Sequence, residues 1–203
     1  VELTEPPPLI SQGFEIQTSC PDAATGSIAL LGVAQGTPPY TFSWSNGATG
    51  TGQNELAGGM YTVTIFDANG CTFTDSGAVP IFEKPEIETA VRQISCFGAA
   101  DGEIEISVLN PVPDIVFGWS NGGTGPGIQN LPPGNYGLLV QYGKGACALP
   151  PLDFQLTEPE KLVLQSAYTD PVCHEGTDGS IDLSVAGGTA SFTLAWSNVA
   201  SRE

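Results

Sequence analysis

The chain has 203 residues and a formal net charge of −17, from 22 acidic and 5 basic side chains. Because phosphate contacts need clustered Lys and Arg, this balance argues against nucleic acid as a partner. The 26 glycines and 17 prolines favour many turns over long helices. No apolar run approaches the roughly 20 residues that a membrane span requires.

Four landmarks recur along the chain with a period of about 76 residues. They are a cysteine, a Trp-Ser-Asn run, a tyrosine and a second cysteine, at Cys20, Trp44, Tyr61 and Cys71, then at Cys96, Trp119, Tyr136 and Cys147, with a third start at Cys173 and Trp196. A fixed period of this length is typical of tandem domains. We therefore predict the tail of a preceding repeat at 1–12, repeat 1 at 13–84, repeat 2 at 85–160 and the start of repeat 3 at 161–203.

Within each repeat, short segments alternate apolar and polar residues. Examples are 40–44, 61–65, 104–108, 115–119, 181–185 and 192–196. Such alternation predicts half-buried strands, and the Asn-Gly and Asp-Gly pairs between them predict hairpin turns. The fold class that this favours is all-β, with tandem small antiparallel Ig-like β-sandwich domains in an elongated array. The core is predicted to hold Trp44, Trp119, Trp196, Tyr61 and Tyr136.

The five cysteines follow the repeat. Cys20 and Cys71 lie 51 positions apart, and Cys96 and Cys147 have the same spacing. Repeat symmetry therefore predicts one disulfide in each repeat, Cys20–Cys71 and Cys96–Cys147, and leaves Cys173 without a partner in this chain. Such bridges indicate an oxidising location, which means the periplasm, the cell surface or the medium. The alternative is reduced cysteine that packs as a small hydrophobe.

A Glu-Pro segment precedes each repeat. Leu3-Thr4-Glu5-Pro6 recurs at 156–159, and 82–85 is a looser copy. Because proline fixes φ and stiffens a junction, we expect short, semi-rigid joints between domains. An ordinary proline on an edge strand is the alternative.

No catalytic constellation is visible, and we predict that the chain is not an enzyme. Its one histidine, His174, lies in a loop, whereas a triad or zinc site needs more convergent ligands. We predict no cofactor. The alternative is calcium at Asp101 or Asp178, with the glutamates near the joints at Glu83, Glu86, Glu158 and Glu160. An Asp-Gly pair is also an ordinary turn, and no EF-hand spacing is present.

These motifs resemble the SprB repeat. The residues that carry the resemblance are 173–181, 187–189 and 196–198 in repeat 3, and 36–41, 44–47, 56–63 and 67–71 in repeat 1. Two full copies and about a third of another cover essentially the whole chain. Repeats 1 and 2 depart from the pattern at 24–26 and 110–114, which alters loops and leaves the Cys and Trp framework intact.

The SprB family occurs in very large surface proteins of Bacteroidetes. The resemblance implies a structural segment of a cell-surface adhesin filament that a type IX system exports across the outer membrane and that acts in attachment and gliding motility. It implies as partners an extracellular surface or polysaccharide, bound through other parts of the parent protein, and the gliding and secretion machinery. The alternatives are a carbohydrate-binding module, which needs exposed tryptophans, a noncatalytic stalk of another secreted protein, or an assembly component that pairs through edge strands.

Overall fold

The computed structural model describes residues 7–110 and 112–196, and every regular element in that part of the chain is a β-strand. Two compact units are present: unit 1 comprises Val1–Glu86, Asn110–Val116 and Gln141–Leu149, and unit 2 comprises Ile87–Leu109, Phe117–Val140 and Pro150–Glu203. The segment boundaries given above stay a prediction. The joint at 3–6 and the residues after Trp196 lie outside the described part.

Repeat 1 and the end of the segment before it contain eight strands. They are β1 (Ile10–Ser11), β2 (Phe14–Gln17), β3 (Gly26–Leu30), β4 (Val33–Ala34), β5 (Thr41–Trp44), β6 (Gly52–Leu56), β7 (Gly59–Phe66) and β8 (Thr72–Val79). Strands β2-β3-β6 form one antiparallel sheet and β5-β7-β8 form another, while β1 pairs with β4.

The core of repeat 1 lies between its two three-stranded sheets. Alternate residues of each strand point the same way, so that Ile28 from one sheet meets Val63 and Ile65 from the other, all fully buried. Trp44 and Val79 complete the cluster together with Leu9 and Leu56. Fully burying an aliphatic side chain of this size stabilises a fold by about 1.5–3 kcal/mol, so this contact between sheets holds the sandwich together.

Repeat 2 reproduces this arrangement with seven strands. They are β9 (Ile87–Arg92), β10 (Gly102–Val108), β11 (Val116–Trp119), β12 (Gly127–Leu131), β13 (Gly134–Tyr142), β14 (Cys147–Ala148) and β15 (Leu152–Leu156). One sheet has the order β12-β10-β9, and in the other β13 pairs with β11, β14 and β15. Both sheets contribute buried side chains, among them Ile104, Ile106, Trp119, Leu138 and Leu156.

The described part of repeat 3 consists of one hairpin, β16 (Val163–Thr169) paired with β17 (Ser180–Ala186). The side chains of β16 are exposed, and Trp196 is 59% exposed. The prediction that Trp196 belongs to the core is therefore wrong for this chain. The reason is that residues 161–196 form a single two-stranded sheet, without the second sheet that covers the tryptophans of repeats 1 and 2.

The predicted fold class is confirmed in its architecture. The described residues form small antiparallel, Ig-like β-sandwiches in tandem, and the sheets of repeats 1 and 2 follow the same order of strands. No helix in the described part has the length and hydropathy needed to cross a bilayer.

Candidate functional site

A disulfide joins Cys20 to Cys147, with a Cα–Cα distance of 5.7 Å and a sequence separation of 127. Both residues lie in unit 1, although one belongs to sequence repeat 1 and the other to repeat 2. Cys71, Cys96 and Cys173 have free, exposed thiols. The predicted pairs Cys20–Cys71 and Cys96–Cys147 are therefore wrong.

The long strand β8 explains why Cys20 and Cys71 do not pair. Cys71 immediately precedes β8, whereas Ser19 binds the far end of that strand: Ser19 N–H donates to Pro80 O at 2.8 Å, and Phe82 N–H donates to Ser19 O at 2.9 Å. Eight residues of strand span about 26 Å. A disulfide needs Cα atoms about 4.4–6.8 Å apart, so opposite ends of β8 cannot be bridged.

Strand β13 likewise keeps the two cysteines of repeat 2, Cys96 and Cys147, apart. Cys147 pairs with the last residue of β13, and Leu156 pairs with its first residue. Gln93, three residues before Cys96, accepts a hydrogen bond from the residue that follows Leu156 at 2.8 Å. The equal spacing of 51 positions therefore reflects equal repeats and not proximity within a repeat.

Each first cysteine lies in a loop that one side chain holds closed. In repeat 1, Cys20 N–H donates to Thr25 Oγ1 at 2.8 Å. In repeat 2, Ser95 N–H donates to Asp101 Oδ1 at 3.0 Å, and in repeat 3 Val172 N–H donates to the Asp178 carboxylate at 3.2 Å. These three acceptors occupy equivalent positions, so the two aspartates singled out for calcium have the loop-closing role that Thr25 performs without a charge.

The chemistry of Asp101 agrees with this loop role. Hydrogen bonds from Ser95 lower the pKa of the Asp101 carboxyl, which keeps it ionised as an acceptor. Within the described ranges, no group of three or more His, Cys, Asp or Glu side chains is placed to hold a metal ion. Calcium at the joints stays an untested prediction.

The cysteine loops are also tied to the Glu-Pro segments. In repeat 1, Lys84 forms a 2.5 Å ion pair with Asp22, two residues after Cys20, and this contact raises the pKa of Lys84. In repeat 2, the equivalent linker residue is Glu158, which accepts a hydrogen bond from Gly98 N–H at 2.6 Å. The same tether is thus built from two different chemistries.

The turn before Cys71 is organised by Asp67, which is largely buried. Its carboxylate accepts N–H groups of Thr37 at 3.0 Å, Asn69 at 2.9 Å and Cys71 at 2.8 Å. These bonds, that from Thr37 above all, hold the pKa of Asp67 below its usual value. Sequence reasoning treated this stretch as a turn and did not single out Asp67, although Asp at the start of a turn commonly accepts a hydrogen bond from the backbone two residues on.

The tryptophans of repeats 1 and 2 are interior. Trp44 and Trp119 are 3% and 5% exposed, and their indole N–H groups donate to Gly50 O and Gly125 O, both at 2.9 Å. Neither offers a free ring face of the kind that stacks on a sugar. This geometry removes the exposed platform that a carbohydrate-binding module would need at these two positions.

Tyr61 and Tyr136 each make a hydrogen bond of the same type. Tyr61 is half-buried and Tyr136 is buried, and each hydroxyl donates to the carbonyl four residues earlier, Ala57 O at 3.0 Å and Pro132 O at 2.8 Å. The bond fixes the corner between the two sheets of each sandwich, in the manner of the tyrosine corner of Ig-like domains.

Comparison with solved structures finds similarity to the structure of the amphioxus IgVJ-C2 molecule. The identity is 14%, the match covers 72% of this chain and 97% of that chain, and the TM-score is 0.28. No curated protein matches the chain.

The SprB repeat family matches residues 17–49, 89–124 and 166–201, which is more than half of the chain. The three matched segments begin each of the three sequence repeats and include all of the first cysteines and tryptophans. SprB repeats occur in cell-surface proteins. The chain therefore belongs to the SprB repeat family, as a tandem repeat segment of a cell-surface, adhesin-like protein.

Proposed function

We propose that this chain is a force-bearing segment of a secreted adhesin filament that supports surface attachment and gliding motility. The observation that carries the proposal is the Cys20–Cys147 disulfide, which closes a loop across most of two tandem repeats. The bond limits how far the chain can extend under tension, which is a property that a filament needs.

The bond changes the path that tension takes. When the two ends of the chain are pulled apart, force enters at Cys20 and leaves at Cys147 through the sulfur atoms. The chain between them, which spans a sequence separation of 127, carries no tension while the bond is intact. In the chain-entropy model a loop of this length also stabilises the folded state by about 5 kcal/mol. The core residues that lie inside the loop, among them Ile28, Ile104 and Leu138, are thereby kept out of the path of the force.

The disulfide limits how far the chain can extend under force. At about 3.3–3.6 Å for each extended residue, the closed loop withholds about 420–460 Å of chain. A filament made of such segments resists stretching far better than one whose domains unfold singly. This property suits a protein that links a moving cell to a fixed surface.

The remaining parts of the proposal concern location and partners. We infer export across the outer membrane by a type IX system in a member of the Bacteroidetes, on the strength of the SprB family alone. The adhesive contact with an external surface or polysaccharide belongs to other parts of the parent protein, as does contact with the gliding machinery. The net charge of −17 supports this division, because neighbouring acidic filaments repel one another and stay separate.

Single-molecule force spectroscopy on the chain, held by its two ends, tests the mechanical role. Without reductant, we expect no unfolding step from the closed loop. After reductant is added, the total contour length should grow by about 420–460 Å less the short distance already spanned by the bond. The Cys20→Ser variant should show the full length without reductant, and Cys71→Ser should behave as the unchanged chain. Equal lengths with and without reductant would refute the mechanical role.

Antibodies raised against the chain test location and motility. On intact cells of the source organism we expect surface labelling, and on gliding cells we expect the label to travel along the cell body. Labelling only after permeabilisation would contradict the surface location. A label that stays fixed on gliding cells would contradict the motility part and leave the filament part standing.

A further inference from the structure

The Cys20–Cys147 bond follows a rule that can be read from the repeat. It joins the first cysteine of one repeat to the second cysteine of the next repeat. Moved one repeat along the chain, the same rule assigns Cys96 to the second cysteine of repeat 3. Moved one repeat back, it assigns Cys71 to the first cysteine of a preceding repeat. We propose that Cys96 and Cys71 are the attachment points of further inter-repeat disulfides, so that tandem SprB repeats form a covalent ladder.

The loop of Cys96 is held as the loop of Cys20 is held. Two contacts hold the loop of Cys20: the hydrogen bond from Cys20 N–H to Thr25, and the ion pair between Asp22 and Lys84. Two contacts also hold the loop of Cys96. Ser95 N–H donates to Asp101, which occupies the position of Thr25, and Gly98 N–H donates to Glu158, which occupies the position of Lys84. The thiol of Cys96 is nevertheless exposed, whereas Cys20 is bonded and buried. The Cys96 loop is thus held in the same way as the Cys20 loop, and its thiol is free and exposed.

The following repeat approaches both linkers in a similar way. In unit 1, the side-chain amide of Asn110, just after β10, donates to Lys84 O at 3.1 Å. In unit 2, Gly188 N–H, just after β17, donates to Glu160 O at 2.7 Å, and Thr189 Oγ1 donates to Ser95 O at 3.2 Å. The start of repeat 3 therefore already lies against the residue next to Cys96.

A cavity of about 500 Å³ lies beside Cys96 in unit 2. Its walls are mostly apolar and include Phe97, Leu162 and Phe192. In unit 1, the corresponding region beside Cys20 holds the turn that carries Cys147, with Tyr142 fully buried and Gly143 against the ring of Phe82. The occupant that we assign to the unit 2 cavity is the same turn from a completed repeat 3.

Cys71 shows the opposite half of the same joint. It is the counterpart of Cys147, its turn is fixed by Asp67, and its thiol is exposed. A second cavity, of about 450 Å³ and lined in part by Pro8, Leu9 and Phe73, opens beside it in unit 1. The occupant that we assign here is the first-cysteine loop of a preceding repeat.

Formation of each bridge is an oxidation. Two thiols lose two protons and two electrons to form one S–S bond, and a disulfide oxidant, either an oxidoreductase disulfide or a small-molecule disulfide, accepts them and becomes two thiols. Exchange passes through a mixed disulfide with an exposed thiolate. The exposure of Cys71 and Cys96 permits that step.

The test uses two extended forms of the full chain. In the first, residues 199–203 are replaced by a copy of residues 122–160, which completes repeat 3 and adds a copy of Cys147. In the second, a copy of residues 7–81 is placed before Leu3, which adds a complete repeat with its own copies of the core residue Leu9 and of Cys20 and Cys71. Both proteins are oxidised with a glutathione disulfide buffer, blocked with an alkylating agent, digested without reduction and analysed by mass spectrometry.

We expect the first form to contain a bridge between Cys96 and the added copy of Cys147, with Cys173 alkylated. We expect the second form to contain a bridge between the added copy of Cys20 and Cys71. As a matched pair, Cys96→Ser should leave the added cysteine of the first form alkylated, and Cys173→Ser should leave the bridge intact. Loss of Trp196 quenching by acrylamide confirms that the completed repeat has folded.

Bridges within the added repeats would overturn the ladder, as would a bond between Cys173 and the added copy of Cys147. If the first form fails to bury Trp196, the second form decides alone, because its added repeat is a complete copy of one that folds here. The unextended chain keeps its Cys20–Cys147 bond in every case. Failure of the ladder therefore leaves the force-bearing proposal to its own test.

Discussion

The turn at 67–71 and the turn at 142–147 occupy the same place in successive repeats and end in the same residue type. In repeat 1, Asp67 organises the turn with three backbone hydrogen bonds, and the Cys71 thiol is exposed. In repeat 2, Tyr142 occupies the position of Asp67 and is fully buried, and Cys147 forms a disulfide. Burial raises the pKa of the Tyr142 hydroxyl and keeps it neutral.

The difference shows how a turn adapts to what lies beside it. A turn that faces water keeps its shape through a carboxylate that satisfies its own backbone. A turn that packs against the loop of Cys20 can replace the carboxylate with an aromatic side chain, because packing and the covalent bond fix it. The repeats are therefore equal in fold and unequal at their ends, and the following changes test that contrast.

The largest expected effect comes from removing the bond. The double variant Cys20→Ser with Cys147→Ser should lower the free energy of unfolding by about 5 kcal/mol in the chain-entropy model, measured by guanidinium denaturation. Cys71→Ser should change it by less than about 0.5 kcal/mol, because its thiol is exposed and unbonded. Similar losses from both changes would show that the two turns do not differ as described.

The next largest effect on the free energy of unfolding is expected from replacing a buried tryptophan and not an exposed one. Trp44→Ala and Trp119→Ala should each cost about 3–5 kcal/mol, since each removes a buried ring and its hydrogen bond. Trp196→Ala should cost less than about 0.5 kcal/mol in this chain, because the ring is 59% exposed. Thermal unfolding followed by circular dichroism measures all three, and a large loss from Trp196→Ala would contradict the exposed hairpin.

A smaller effect concerns the tyrosine corners. Tyr136→Phe removes the hydroxyl that donates to Pro132 O and should cost about 1 kcal/mol, because the acceptor is left in a part-buried place. Tyr61→Phe should cost less, because its contact with Ala57 O is exposed and water can replace it. Equal losses in the free energy of unfolding of the two variants, measured by urea denaturation, would mean that water reaches both hydrogen bonds to the same extent.

The smallest effect is the pH dependence that Asp67 contributes. Its pKa is lowered in the folded state, so the stabilising contribution is complete above the ordinary carboxyl pKa of 3.8 and is lost as pH falls through the lower folded value. Asp67→Asn should therefore reduce the drop in melting temperature between roughly pH 5 and pH 2. An unchanged drop would show that other carboxyls, such as Asp101, account for the acid sensitivity.

Much of the fold was predictable because it depends on local patterns. Alternating residues and Asn-Gly turns determine where strands begin and which face is buried, and Ile104 and Ile106 are buried while Glu105 is exposed, as alternation requires. The period of about 76 residues likewise gave the tandem organisation, since each copy carries the same landmarks. These inferences need only patterns along the sequence and no knowledge of how the sheets pack.

The cysteine pairing was not predictable in the same way. Sequence spacing cannot show that Cys20 lies at one end of β8 and Cys71 at the other, because that follows from how the two sheets pack. The exposure of Trp196 depends on a sheet that residues 161–196 do not form. Asp101 was interpreted as a calcium ligand because it is a carboxylate, and its loop-closing role was missed. Thr25 at the equivalent position carries no charge, which already favoured a structural role for this position over metal binding.

Disulfide mapping of the unextended chain tests the central claim most directly. The folded protein is alkylated without reduction, digested and analysed by mass spectrometry. We predict one bridged peptide pair, containing Cys20 and Cys147, with alkyl groups on Cys71, Cys96 and Cys173. Bridges Cys20–Cys71 and Cys96–Cys147 would contradict the account, because each repeat would then be closed on itself and no bond would carry tension from one repeat to the next.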